Sequence, residues 1–324
     1  MQAPDAMKDL AGPQPTEEMQ RVMGVLAERK KGQPDRYRVP FEQARSLLIE
    51  ERKWWLESAP EMTRTEDDVL DVDGRTVRMR RYLPVGADGS TEIVYLHGGG
   101  WCVGGIETHD AIVRGLAQAC RHPVISVAYS LAPEFPFPAA SHDLQALLAH
   151  LREQRPPGTR WVVAGDSAGA NLALLEAIRA RDAAQPMPAA LLLLYGAYLP
   201  VRDSRSYLAY GDGRFGMSRG AMERYEHHYL GGRTARDVPQ AFPLKLPLHG
   251  LPPMLIAACE LDVLLDDSLE LHAEVQAAGS DSVLEVYRGV GHGFLTYGRL
   301  MQAPADAFRA MSDFLRLKLP HAVR

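Results

Sequence analysis

The sequence has few cysteines and no excess of positive charge, and each shortage excludes a class of protein. Three cysteines among 324 residues are too few and too widely spaced for a disulfide framework. We therefore expect Cys102, Cys120 and Cys259 to be reduced core residues. The formal net charge is −5 with the two signs interspersed, which argues against a basic surface for nucleic acid or anionic membranes.

Long apolar runs are also missing. No uninterrupted apolar stretch is long enough to span a bilayer, and the first residues lack the charged and apolar regions of a signal peptide. The sequence thus predicts a cytoplasmic protein without a membrane segment. A chain of 324 residues with 46% hydrophobic content can bury one large core, or a core and a smaller lid.

What the sequence does contain is an alternation of short apolar runs with helical patterns. The runs predict strands at residues 93–96, 124–128, 161–164, 190–195, 254–258 and 283–287. The helical patterns lie at residues 110–120, 141–151, 168–180, 267–278 and 305–317. Before them, alternating residues around Asp73 and Gly74 predict an antiparallel hairpin. This order predicts an α/β fold with a mostly parallel central sheet flanked by helices.

Two segments fall outside this alternation. Residues 1–15 are polar and rich in proline, which is typical of a mobile arm, and helical patterns follow from Thr16 and over 41–56. Residues 197–249 are rich in glycine and aromatics, with Ser218 as a helix cap. We divide the chain into an arm with cap helices at 1–56, a core at 57–196 and 250–324, and a cap insertion at 197–249. The patterns of the two N-terminal helices are compatible with helices that cover the core and equally with a lid that closes over a binding pocket.

The central motif is Gly-x-Ser-x-Gly at residues 165–169, between a predicted strand and a predicted helix. Such a turn exposes its central residue, Ser167, at a helix N-terminus, whose amides favour a negative charge. Glycines at 165 and 169 allow the neighbouring backbones to approach closely. Ser167 is therefore the candidate nucleophile.

A serine nucleophile requires a histidine base and a carboxylate that orients it. Two of the eleven histidines, His97 and His292, follow a predicted strand within a glycine-rich loop. His292 comes last in the order serine, acid, histidine, and is the predicted base. Asp262 follows the intervening strand directly and is the predicted acid. Asp266 and Asp267 compete with it in sequence, but Asp267 with Glu270 fits a helix-capping box.

The loop His97 to Gly100 follows the first core strand and contains three glycines. Attack on an acyl carbon creates an oxyanion that must meet preorganised amide donors. We assign this oxyanion hole to the amides of Gly98, Gly99 and Ala168.

Together these motifs resemble the hormone-sensitive-lipase-type esterases of the α/β-hydrolase superfamily. The resemblance is carried by His-Gly-Gly-Gly-Trp at 97–101, Tyr-Ser-Leu-Ala-Pro-Glu at 129–134, Gly-Asp-Ser-Ala-Gly at 165–169, Asp262 and His-Gly-Phe at 292–294. It covers residues 75 to 318. It implies hydrolysis of short-chain carboxylic esters through an acyl-enzyme, without metal or cofactor, beneath a cap built from residues 16–56 and 197–249.

Other functions on the same fold are left open. Acyl transfer to another acceptor, or deacetylation of a specialised metabolite, uses the same residues. Plant gibberellin receptors resemble this family but have lost the catalytic histidine, whereas His292 is present here. The expected partner is a small-molecule ester, and a homodimer is left open.

Overall fold

The computed structural model describes residues 12–87 and 89–320. The predicted mobile arm lies mostly outside these residues. The strands of the sheet are β1 Arg64–Val72, β2 Arg75–Leu83, β3 Thr91–Leu96, β4 Val124–Ala128, β5 Arg160–Asp166, β6 Ala190–Leu194, β7 Met254–Leu261 and β8 Ser282–Gly291. The helices are α1 Glu17–Arg29, α2 Phe41–Leu56, α3 Ile106–Cys120, α4 Ala139–Gln154, α5 Ala168–Asp182, α6 Arg205–Tyr210, α7 Arg219–Tyr229, α8 Leu265–Ala277 and α9 Ala303–Lys318.

One sheet joins these strands in the order β1-β2-β4-β3-β5-β6-β7-β8. The predicted hairpin is present, because β1 pairs antiparallel with β2, and β2 pairs antiparallel with β4. All the later pairs are parallel. The sheet is therefore mostly parallel, as the alternation of apolar runs predicts, and the carboxyl ends of its central strands meet at one edge.

Both faces of the central strands β3, β5, β6 and β7 are buried, which explains why these strands read as continuous apolar runs. Along β3, Val94 and Leu96 belong to the core on the side of α4, α5 and α8, whereas Ile93 and Tyr95 belong to the core beneath α3 and α9. The three cysteines are free and buried, as predicted. Within residues 12–87 and 89–320, no helix has the length and apolar character needed to cross a membrane.

The N-terminal helices pack against the core. Helix α1 begins where the sequence predicts, since the Thr16 hydroxyl accepts a hydrogen bond from the Met19 amide at 3.1 Å. The Thr16 amide donates to the carbonyl of Gly289 on β8 at 3.0 Å. On α2, Trp55 is buried, and its ring lies 4.9 Å from that of Tyr297. These contacts tie the start of the chain to its C-terminal third.

Sequence reasoning missed the short helix α6 in the insertion and misassigned Asp267 of α8. Helix α8 has no side-chain cap, so the predicted capping role of Asp267 is wrong. The Asp267 carboxylate is buried, accepts hydrogen bonds from the amides of Tyr198 and Leu199, and pairs with Arg202 at 2.9 Å. It anchors the beginning of the insertion.

Asp266 also contacts the insertion. Its carboxylate accepts a hydrogen bond from the amide of Ser206 in α6 at 2.9 Å. The Ser206 hydroxyl donates to the carbonyl of Val263 at 2.6 Å. Both acids therefore hold the insertion in place through these hydrogen bonds. The carboxylate bonded to His292 belongs to Asp262.

Candidate active site

Ser167 lies in the turn between β5 and α5. Its backbone has φ 54° and ψ −116°, a conformation that L residues rarely adopt and that costs roughly 1–3 kcal/mol. The Ser167 amide donates to the carbonyl of Leu194 on the neighbouring strand at 2.8 Å. The surrounding packing thus holds the serine at the carboxyl edge of the sheet.

The turn requires glycine at positions 165 and 169 because a larger side chain would not fit there. A Cβ at Gly169 would overlap the carbonyl oxygen of Leu96, and one at Gly165 would overlap the backbone of Gly169. These obstacles are backbone atoms, which cannot move aside as a flexible side chain can.

Substituting alanine tests this constraint. We expect Gly169→Ala to lower the free energy of unfolding by about 3 kcal/mol, because the clash forces the backbone apart. Gly24→Ala is a matched control on exposed α1, where an added Cβ meets nothing within 4 Å, and should stabilise the protein by about 0.5–1 kcal/mol. Urea unfolding of both variants measures the difference. Equal stabilities would contradict the steric account.

The three predicted catalytic side chains come together. His292, directly after β8, lies with Nε2 3.0 Å from the Ser167 Oγ and with Nδ1 2.7 Å from an Asp262 carboxylate oxygen. Asp262 follows β7, and its other carboxylate oxygen accepts a hydrogen bond from the Leu264 amide at 3.1 Å. This arrangement allows a proton to pass from the serine to a histidine whose other nitrogen is held by an acid.

The electrostatics of His292 suit a general base. Burial lowers the pKa of the imidazole, but the charge of Asp262 and the hydrogen bond to it outweigh burial, so the pKa is raised above its ordinary value of 6.5. Protonation removes the lone pair that accepts the serine proton.

We therefore expect kcat/KM for a neutral ester to rise with pH through the His292 titration, with its midpoint above 6.5. In Asp262→Asn, the midpoint should move to lower pH because the carboxylate charge is lost. Initial rates at low substrate concentration across pH 5–9 measure both profiles. A flat profile with chemistry rate-limiting would count against a histidine base.

The other candidate base, His97, is buried beneath the glycine loop. Its ring stacks on Tyr129 with centroids 4.2 Å apart, and Nδ1 lies 2.8 Å from the Gly98 carbonyl oxygen. Burial, followed by the neighbouring His109, lowers the His97 pKa to about 3. His97 is therefore a neutral support of the loop.

The predicted oxyanion donors require one correction. The Gly98 amide already donates to the Asp166 carboxylate at 2.8 Å, so it is not available to an oxyanion. No hydrogen bond joins the amides of Gly99 and Gly100 to another described residue. The amide of Ala168 stands at the first position of α5, where a helix leaves its donors free.

Asp166 explains why Gly98 is engaged. Its buried carboxylate accepts hydrogen bonds from the Tyr95 hydroxyl at 2.7 Å and from Gly98, and lies 3.4 Å from His109. Burial opposes its ionisation, but the neighbouring His109 and the donated hydrogen bonds lower the pKa to about 2. Sequence reasoning missed this role. The available signal was an acid ending an otherwise apolar strand, next to the nucleophile.

A narrow cavity of about 90 Å³ opens onto Ser167 and His292. The N-terminal helices and the segment that follows α1 supply Leu26, Lys30, Arg36, Tyr37, Leu48 and Arg52 to its wall, and the insertion supplies Gly216, Met217 and Tyr225. A larger hollow of about 520 Å³ lies between α4 and α5, but its lining includes none of the three residues of the proposed triad. The smaller cavity is therefore the candidate substrate site.

Comparison with known proteins agrees with the fold. Residues 93–296 match the family model described as alpha/beta hydrolase fold. An acetyl esterase of Salmonella paratyphi B is 35% identical over 289 residues, which are 86% of this chain and 88% of the relative.

Solved structures give the same result. A hyperthermophilic esterase from the archaeon Pyrobaculum calidifontis superposes with a TM-score of 0.85 at 27% identity, covering 94% of this chain and 98% of the other. An esterase from the bacterial hormone-sensitive lipase family superposes with a TM-score of 0.82 at 29% identity, covering 94% and 99%. The chain thus belongs to the α/β-hydrolase fold family, within the esterases of the hormone-sensitive-lipase type.

Proposed function

We propose that this protein is a serine carboxylesterase in which Ser167 is the nucleophile, His292 the base and Asp262 the acid that orients it. The observation that carries the proposal is the hydrogen-bonded series from Asp262 through His292 to Ser167 at the cavity. Serine, histidine and acid in these roles perform acyl transfer on several unrelated folds.

The reaction follows from these atoms. The Ser167 Oγ attacks the acyl carbon of the ester, while His292 Nε2 takes the hydroxyl proton and passes it to the leaving alcohol oxygen. Water then attacks the acyl-enzyme and gives a proton to His292, which passes it to the Ser167 Oγ as the bond to the acyl group breaks and the acid is released. We propose the amides of Gly99, Gly100 and Ala168 as the donors that stabilise each oxyanion.

The cavity supports a preference for short acyl groups. Its 90 Å³ is less than the roughly 150 Å³ of an engineered protein cavity that holds benzene. A related protein carries the name acetyl esterase. We propose acetyl and similarly small acyl groups as substrates, beneath a cap formed by residues 16–56 and 197–249, because both segments line the cavity.

A series of p-nitrophenyl esters tests this function. We expect kcat/KM to be highest for acetate to butyrate and to fall for longer acyl chains, which exceed the cavity. Purified Ser167→Ala protein is the control for contaminating esterases. Absence of turnover with every ester in the series would overturn the proposal.

A further inference from the structure

Arg52 on α2 lies at the cavity with two nitrogens of its guanidinium unbonded. Its Nε and Nη1 atoms are buried and make no hydrogen bond with any described residue, and its side chain lines the cavity together with Ser167. A buried guanidinium without partners is costly unless another group satisfies it. Arg52 follows Leu48 by four residues and thus interrupts the apolar stripe of the helix.

The neighbouring cations are already occupied. Glu51 pairs with Arg36 at 2.8 Å and with Lys30 at 3.4 Å. Arg36 also donates to the Tyr37 hydroxyl at 2.9 Å. The charge of Arg52 also helps to lower the pKa of Glu51, but the Nε and Nη1 donors of Arg52 are left without a hydrogen bond.

Another arginine of α2 shows what a satisfied guanidinium looks like in this protein. Arg45 donates to both carboxylate oxygens of Glu134, and also to the carbonyls of Cys102 and Ala132. A planar guanidinium favours such paired bonds to a carboxylate. The unused donors of Arg52 have the same chemistry.

Arg52 is also close to the reacting groups. Its positive charge opposes protonation of His292 and acts on the hydroxyls of Tyr195 and Tyr297. A small molecule bound at Ser167 can therefore place a second functional group within reach of Arg52.

We propose that Arg52 binds a carboxylate of the substrate, so that the esters this site prefers are small and carry a negative charge. This inference rests on the proposed esterase function and specifies its substrate class. The carboxylate belongs either to the acyl part or to the alcohol part of the ester, and the experiment separates the two.

The test compares charged esters with neutral esters of nearly the same shape. In the acyl arm, monomethyl succinate is compared with methyl levulinate, and in the alcohol arm acetoxyacetate is compared with acetoxyacetone. The readout is the ratio of kcat/KM for the anionic ester to that for the neutral one, from acid release in a pH-stat. We expect this ratio to fall about 10- to 100-fold in Arg52→Gln in one arm, the loss typical of a hydrogen-bonded charge.

Two variants make the result specific. Arg52→Lys keeps the charge without the planar fork and should retain part of the preference. Lys53→Gln changes the exposed neighbour that pairs with Glu50 and should leave the ratio unchanged. A ratio in Arg52→Gln equal to that of the wild type, in both arms, would overturn the proposal.

Inhibition of the wild-type protein gives a second measurement should Arg52→Gln fail to fold. Levulinate should compete with a neutral ester, whereas 2,5-hexanedione, its uncharged analogue, should compete far less. Equal inhibition by both compounds contradicts a carboxylate site. Failure of the wild type on all four esters, anionic and neutral, refutes the esterase function itself. Turnover of these esters without an Arg52-dependent preference refutes only the role of Arg52.

Discussion

Ser167→Ala is expected to lower kcat for ester hydrolysis by about 10⁶-fold, as in a serine protease that loses its nucleophile. Alanine keeps the backbone and the size of the turn, so the melting temperature should change little. The residual rate comes from binding and from the oxyanion donors, which the substitution leaves intact. Active-site titration and steady-state kinetics measure the loss.

The matched control is Ser46→Ala. Ser46 is exposed on α2, and its hydroxyl donates only to the Glu42 carbonyl in the preceding turn. The activity of the Ser46→Ala variant should equal that of the wild type. Labelling with a fluorophosphonate adds a direct readout, since the adduct should map to Ser167. An adduct on another serine, such as Ser130 or Ser218, would show that the nucleophile is misassigned.

Asp262→Asn is expected to lower kcat by about 10⁴-fold, the loss that the same change causes in a serine protease. Asp262 accepts from the Nδ1 of His292, whereas an asparagine amide presented there favours the wrong tautomer. The fold should persist, because Asp262 is buried and asparagine has nearly the same volume. Kinetics at the pH optimum and thermal melts separate the two effects.

The neighbouring acids provide the comparison. Asp266→Asn should keep activity within a few fold, since an asparagine oxygen can still accept from the Ser206 amide. Asp267→Asn should mainly reduce stability, by about 1–3 kcal/mol, because it weakens a buried pair with Arg202. Near-normal activity in Asp262→Asn together with collapse in Asp266→Asn would move the acid to Asp266.

The fold and the arrangement of the proposed triad are predictable from the sequence because each has a local signature. The strand ending at Asp166 and the helix starting at Ala168 are visible as an apolar run and a helical pattern. His292 and Asp262 are found because each directly follows a strand, and parallel strands end at one edge. Glycines at 165 and 169 reveal the turn because larger residues do not fit.

Long-range hydrogen bonding left no such signature. The sequence cannot show that Asp166, at the end of β5, accepts a hydrogen bond from the Gly98 amide beyond the neighbouring strand β3, 68 residues away. The position of Arg52 is likewise not visible in the sequence, since only the packing of α2 over the core brings its side chain to the cavity. Asp267 fits a capping box by spacing alone, and tertiary bonds to Tyr198 and Leu199 override that preference.

During synthesis, the ribosome delivers the turn at Ser167 long before the base, because 125 residues separate the serine from His292. The Thr16 amide has no acceptor until Gly289 is made, so α1 cannot complete its contacts before β8 emerges. A translation product that stops early therefore has a serine without a base and a first helix without its anchor. With the proposed triad, ester-cleaving activity arises only once His292, which directly follows the final strand, has been added.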